Sequence, residues 1–371
     1  MLSFWEKQYL LQYDYIVSGS GIVGLSTAIS LKERVPHAKV LILEKEILPT
    51  GASTKNAGFA CIGSLTELLA DLKTMPAPEV VDLLQLRRKG LQLLRQRIGD
   101  AHMDYRENGS YELISEAEEP ALAQLEAVNN LLHTVLGGPA FTLVNEKIGR
   151  FGFNNQYVKA LVKNNYEGEL NTGRMMRCLI DIAIGKGVEI KTGCAISNIE
   201  DTGAGVHVTV KDITFQCRAL AICTNAFTRE LLPDVNLQPG RGQVLMTSVI
   251  PDLPFRGVFH MEEGYYYFRE LQGRVLFGGG RNLDFATEAT TEFDINRQIQ
   301  QQLENRLHNI ILPAHSFTIT ERWTGIMAFG DTRRPLIRKY SPNIALGVRM
   351  GGMGVAIGST VGEQLANLIL Q

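Results

Sequence analysis

Residues 14–44 read DYIVSGSGIVGLSTAISLKERVPHAKVLILE, and the rest of the chain is best understood outward from them. A short apolar run, 15–18, leads into Gly19-Ser20-Gly21-Ile22-Val23-Gly24. Leu25, Ala28 and Ile29 then recur at helical spacing, and a second apolar run, 40–43, ends on Glu44. Strand, glycine turn, helix and strand in this order predict a βαβ unit shaped for a dinucleotide. Gly19 permits the tight turn, Gly21 lets the backbone approach a pyrophosphate, and Gly24 lets helix and strand pack closely. The helix N-terminus offers unpaired amides and a partial positive charge to the same pyrophosphate. Glu44, 20 residues beyond Gly24, is placed to accept hydrogen bonds from the adenosine ribose. Its charge would repel a 2′-phosphate, so the motif favours FAD or NAD over NADP.

A chain of 371 residues is long for one core and predicts two domains, or one domain with a large insertion. The net charge of −2 gives no electrostatic reason to expect nucleic acid or anionic lipid as a partner. Five cysteines without a CxxC point neither to a disulfide framework nor to a metal site, and free thiols in a reducing compartment are expected. Glu6 and Lys7 interrupt the first apolar residues where a signal peptide would need its apolar stretch, and no run of 18 apolar residues follows. A cytoplasmic location without a transmembrane segment is the expectation.

After Glu44 and Lys45 comes Gly51-Ala52-Ser53-Thr54-Lys55-Asn56-Ala57-Gly58, a small polar loop. In a doubly wound sheet, the loop after the second strand borders the crevice at the strands' carboxyl ends. The pair GSGIVG…EK and GASTKNAGF resembles the FAD-dependent amine and amino-acid oxidoreductases typified by glycine oxidase, sarcosine oxidase and D-amino-acid dehydrogenase. The resemblance covers most of the chain and is strongest at 14–60 and 320–371. It implies an α/β fold: a Rossmann-like FAD-binding domain (12–75, 165–240 and 320–371) and an inserted α+β substrate domain on an antiparallel sheet (76–164 and 241–319). It also implies that the loop at Ser53, Thr54, Lys55, Asn56, Ala57 and Gly58 lines the flavin. Some relatives attach flavin to a histidine near this loop; none lies between His37 and His102, so non-covalent FAD is expected.

Further along, Asn108-Gly109 is a plausible turn between two short strands, and a helix is expected over 174–184. The family layout puts a strand near Ile196 at the adenine end and the turn Thr224-Asn225-Ala226 under the pyrophosphate. Runs QVLMTSV, GYYYFRE and GRVLFGGGRN predict strands of an antiparallel sheet roofing the flavin. There Tyr266 matches a substrate-contacting tyrosine, although Tyr265 and Tyr267 flank it and a one-residue shift would exchange faces. The segment at Trp323-Thr324-Gly325 resembles the family's W-x-G. Gly351, Gly352, Met353, Gly354, Val355 and Ala356 form a glycine turn opening a helix whose N-terminus can stabilise negative charge on the flavin.

The resemblance implies hydride transfer from a C–H bond beside an amine to flavin N5, with oxygen or another acceptor taking the electrons. No side-chain base is required if the amine binds uncharged. Many relatives hold the substrate carboxylate with an arginine, but those positions are Met327 and Gly352 here. Arg349 can reach the same space, and Arg269 or Arg281 can enter from the sheet. A small amine or amino acid is therefore the leading substrate class. The opening stretch also resembles the L-2-hydroxyglutarate dehydrogenase branch, which leaves a 2-hydroxy-acid dehydrogenase as an alternative. A flavoprotein with structural FAD that serves a partner protein, and a tRNA-modifying relative, are further alternatives.

Overall fold

In the computed structural model, which describes residues 1–371, the opening stretch forms the predicted unit. Strand Gln12–Ser18 is followed by α1 (Ile22–Arg34) and strand Val40–Leu43. The two strands pair in parallel, Tyr15 opposite Val40 and Ser18 opposite Leu43. On its other side Gln12–Ser18 pairs in parallel with Ile213–Ile222, which in turn pairs in parallel with Ile344–Val348. The chain thus leaves the central strand to one side first and to the other much later. That reversal opens a crevice at the strands' carboxyl ends, at Ser18, Leu43 and Cys223. Val188–Lys191 and Leu336–Ser341 extend the sheet, and an antiparallel ribbon (Ile196–Asp201, Val206–Val210) leans on Ile213–Ile222.

Two further helices complete this layer, α2 (Ala77–Ile98) and α3 (Gly354–Ile369): α3 packs on the sheet and α2 packs on α3. Small residues set how closely they approach. A Cβ on Gly358 would lie 2.7 Å from Ile22 Cγ2, and one on Gly362 would lie 2.7 Å from the Val23 carbonyl. α1 and α3 therefore lie nearly backbone to backbone, their N-termini at one end of the crevice. A Cβ on Gly90 of α2 would lie 2.2 Å from the Ala356 carbonyl, so α2 is pressed against α3 in the same way.

The second sheet runs Ile319–Phe329, Gln238–Thr247, Arg274–Gly279, Tyr266–Leu271, Val258–Met261, Ser110–Ile114, Ala160–Asn164, Phe141–Leu143. All its pairings are antiparallel except that of Val258–Met261 with Ser110–Ile114. Its far face is filled by aromatic rings, with Phe259 stacked on Phe268 at 4.6 Å and on Tyr111 at 5.3 Å.

Three expectations from sequence are corrected here. The boundary at 320 cuts through a strand of the second sheet, because Ile319–Phe329 pairs with Gln238–Thr247 along almost its whole length. α2, assigned to the inserted domain, buries Leu91, Leu94 and Ile98 in the first domain's core and Val80, Leu83 and Leu84 in a second core. A helix with apolar residues on two faces joins two cores, which one-dimensional periodicity does not reveal. Asn108-Gly109 is not a hairpin turn: Ser110–Ile114 finds its partners at 258–261 and 160–164, and Arg106 bridges to Glu169. The helix expected at 174–184 spans Thr172–Gly185.

Candidate active site

A cavity of ≈ 800 Å³ runs from the carboxyl ends of the first sheet to the inner face of the second. Its first wall is the glycine turn. Gly19 has φ +96°, and a Cβ on Gly24 would lie 1.9 Å from the Gly19 carbonyl oxygen, so neither position admits a side chain without rearrangement. Gly21, Ile22 and Val23 line the cavity with Gly19, while Ser20 and Gly24 stand behind it. The Ser20 amide and hydroxyl both donate to Glu44 Oε2, at 2.8 and 2.6 Å, and the Glu46 amide donates to Oε1 at 3.2 Å. Ser20 thus orients the Glu44 carboxylate, which lines the cavity with Lys45. Lys45 pairs with Glu230 at 3.1 Å. Cys194, Ala195 and Ile196 complete this end.

The 51–58 loop divides in the same way. Ser53 Oγ accepts the Ile22 amide at 3.0 Å, fastening the loop to the first turn of α1. Ser53, Lys55, Asn56 and Ala57 line the cavity. Thr54 turns inward, donating to the Pro49 carbonyl at 2.7 Å, and Gly58 is pressed against the Leu170 carbonyl. Thr224 and Asn225 line the cavity, with Ala226 buried behind them. From the far end of the sequence come Gly325, Gly351, Gly352, Met353, Gly354, Val355 and Ala356. The first amides of α3 have no partners within the helix and so present donors to a ligand.

Two expected residues are displaced. Tyr266 is wholly buried on the far face of the second sheet, its ring beneath the Arg306 guanidinium at 4.0 Å and its hydroxyl without a partner. The pleat alternates faces, so Tyr267 points into the cavity instead, edge-on to Phe59 at 5.5 Å. Burial pushes the Tyr267 phenol up to about 12, which keeps it neutral. Arg349 turns away from the cavity: its guanidinium donates to the Arg334 and Asn236 carbonyls and to Thr332 Oγ1, at 3.2–3.4 Å. Its backbone has φ +69° and its amide donates to Asn225 Oδ1, a geometry that directs the side chain outward.

Met327 and Gly352 meet on the cavity wall, where a Cβ on Gly352 would lie 3.7 Å from Met327 Sδ. Of the arginines expected to enter from the sheet, Arg269 is committed elsewhere. It donates to the Leu170, Gly58 and Ala57 carbonyls and lies 3.5 Å from Glu169. Arg281 is different. Its guanidinium lies over Phe329 at 3.9 Å and Phe285 at 4.7 Å, lines the cavity, and makes no hydrogen bond or ion pair with the chain. Burial lowers its pKa from the usual arginine value. It packs beside Gly240, and Gly240 is the register partner of Met327.

Sequence reasoning missed several wall residues: Phe59, Cys61, His260, Phe293 and Arg333. Phe59 follows directly on the 51–58 loop and His260 shares the face of Tyr267 across the ladder, so both were within reach of a strand-alternation argument. Phe293 lies in a segment held down by Arg241, which makes a bidentate pair with the buried Glu288 at 2.8 and 2.9 Å. Nothing local in the sequence marks that placement.

Doubly wound sheet, glycine cradle, cavity-facing carboxylate and roofed crevice together make the layout of a dinucleotide-binding scaffold. The family described as FAD dependent oxidoreductase (DAO) matches residues 14–368, and the chain belongs to that family. It is similar to the bifunctional protein ThiO/ThiG of Nostoc sp., 23% identical over 210 residues; the match covers 55% of this chain and only 31% of that protein. Among solved structures, glycine oxidase from Geobacillus kaustophilus superposes with a TM-score of 0.78 at 18% identity, covering 97% of this chain and 95% of that one. L-proline dehydrogenase from P. horikoshii gives 0.79 at 15%, covering 97% and 93%. L-amino acid deaminase from Proteus myxofaciens gives 0.78 at 18%, covering 97% and 90%. The chain thus belongs to an FAD-dependent oxidoreductase family and shares the fold of these enzymes. No helix is long and apolar enough to cross a membrane.

Proposed function

We propose that the protein oxidises a C–N bond of a small amine or amino acid, and that Arg281 makes a carboxylate-bearing substrate the better fit. Arg281 is the observation that carries this reading. A half-buried guanidinium with no anion of its own is costly unless a ligand supplies one, and its planar fork suits a carboxylate. It packs beside Gly240, the register partner of Met327, and Met327 matches the position where family relatives carry their arginine, so Arg281 would supply that charge from another part of the sequence.

FAD fits the residues present: a cradle that a Cβ would fill at Gly24, donors at two helix N-termini, and the oriented Glu44 carboxylate. We further propose that it is held without a covalent bond, since the 51–58 loop offers neither imidazole nor thiol. The five cysteines are all free, which supports a reducing, cytoplasmic setting. When bound, FAD supplies a two-electron acceptor for the substrate C–H bond. The chain contributes position and exclusion of water. Phe59, Tyr267 and His260 meet edge to face at 5.4–5.5 Å to form an apolar wall, Arg281 orients the carboxylate, and the first turn of α3 favours negative charge on the ligand in front of it.

The test is an anaerobic flavin-bleaching screen across amino acids, decarboxylated amines and 2-hydroxy acids. Amino acids are expected to bleach the flavin, and Arg281→Ala to raise their KM about 10- to 100-fold while sparing amines. Bleaching by hydroxy acids alone would overturn the C–N reading. Equal KM values in wild type and Arg281→Ala would remove Arg281 from it.

A further inference from the structure

Three side chains from distant parts of the sequence converge at the cavity. Cys61 follows strand Phe59–Ala60, and Glu167 precedes strand Gly168–Glu169, with which that strand pairs. His260 comes from Val258–Met261 in the second sheet. The Cys61 sulfur, a Glu167 carboxylate oxygen and a His260 ring nitrogen all lie within 4.8 Å of one another. All three residues are buried, and Cys61 and His260 line the cavity wall. Glu167 Oε1 accepts the Ile62 and Gly63 amides at 2.5 and 2.7 Å, which fixes the carboxylate and aims Oε2 away from them. Oε2 has no hydrogen-bond partner, nor has His260 Nε2, 3.9 Å away. No lysine or arginine pairs with Glu167, although buried carboxylates ordinarily have a cation or a metal.

We propose that Cys61, Glu167 and His260 form a three-ligand site for a divalent metal of the zinc class, with a fourth coordination position facing the cavity. The donor set of thiolate, imidazole and carboxylate is one that zinc accepts, and three protein ligands with one open position is the pattern of exchangeable sites. An ion at the centre of so tight a group lies no more than about 2.8 Å from each donor, so shifts of about 0.5 to 0.8 Å reach zinc's distances. The charges balance. Coordination releases the Cys61 thiol proton to solvent, and one thiolate with one carboxylate neutralises a divalent ion. The open position would take water or a substrate heteroatom, and the ion would clip the short 59–60/168–169 ladder to the second sheet. No sequence pattern announces this site, because its ligands are spaced by about a hundred residues each and none lies in a CxxC.

The experiment uses the FAD-loaded protein and reads metal, not turnover, so it stands apart from the fate of the C–N reading. Chelator-treated protein is loaded with Co2+ alone, passed through gel filtration and measured by elemental analysis and absorption. About one cobalt per chain is expected, with tetrahedral d–d bands at longer wavelength than the flavin and a thiolate charge-transfer band. Zn2+ should displace the cobalt and abolish the bands. Cys61→Ser should abolish the charge-transfer band, and His260→Gln should weaken retention about 100-fold, in protein whose circular dichroism is unchanged. Wild-type protein that retains no cobalt overturns the proposal whether or not the variants fold. Bands that persist in folded Cys61→Ser protein overturn it equally.

Discussion

Tyr266 and Tyr267 are neighbours in sequence and opposites in role, and the difference is measurable. The Tyr266 hydroxyl is buried without a partner, so Tyr266→Phe removes a desolvated polar group and is expected to leave thermal stability unchanged or raise it by up to about 1 kcal/mol. Its turnover should match wild type. Tyr267→Ala opens the wall beside Phe59 and is expected to raise the substrate KM about tenfold, with stability affected less than activity. Steady-state kinetics with thermal melts of both variants checks this, and a kinetic defect in Tyr266→Phe would refute the assignment. The glycine cradle, Glu44 and the 51–58 loop were legible because each is a local motif whose spacing carries its geometry. Tyr266 was misassigned because a period of two turns a one-residue error into the wrong face. Arg349 was misassigned because its left-handed backbone, tied to Asn225, is a tertiary matter. Arg281 was only one of three candidates until the structure occupied the other two.

Helices and strands show what the cradle demands of its surroundings. A methyl group on Gly24 would collide with the Gly19 carbonyl at 1.9 Å, and Gly19 and Gly21 of the same turn line the cavity. Gly24→Ala is therefore expected to shift α1 away from its strand, to cost about 3 kcal/mol or more, and to yield protein purified with little flavin. The ratio of flavin to protein absorbance, read beside a thermal melt, decides it; a full complement of flavin would show that the turn tolerates the methyl. The elements of the first sheet were read correctly from their apolar runs. The edges of the domains were not. Ile319–Phe329 has a composition that suits either sheet, and only its ten-residue register with Gln238–Thr247 assigns it. α2 serves two cores at once, so no single stripe of apolar residues marks its allegiance.

At the scale of the whole molecule, one buried carboxyl makes stability depend on pH. Glu112, in Ser110–Ile114 of the second sheet, accepts hydrogen bonds from the Ser64 hydroxyl at 2.8 Å and from the Thr66 amide and hydroxyl, at the start of helix Leu65–Thr74. Burial pushes its pKa up to about 7, and the hydrogen bonds from Thr66 and Ser64 only partly offset that rise. An unfolded glutamate titrates near about 4.3. Between the two values the folded protein holds a proton that the unfolded chain has released. The stability Glu112 contributes is thus complete below about pH 4.3 and is lost as pH rises through about 7. The melting temperature is expected to fall between about pH 5 and pH 8, and Glu112→Gln should flatten that fall. Identical slopes in the two proteins would show that Glu112 is ionised throughout.

The cavity's two helix N-termini, at Ile22 and Gly354, come from stretches far apart in the sequence. A ribosome that has produced only the first βαβ unit has made the cradle's glycines but not the helix that packs against them through Gly358 and Gly362. The cavity therefore has both of its helix N-termini only when residues 354–369 are present. A chain truncated before residue 354 is expected to purify without flavin, which its absorbance would show.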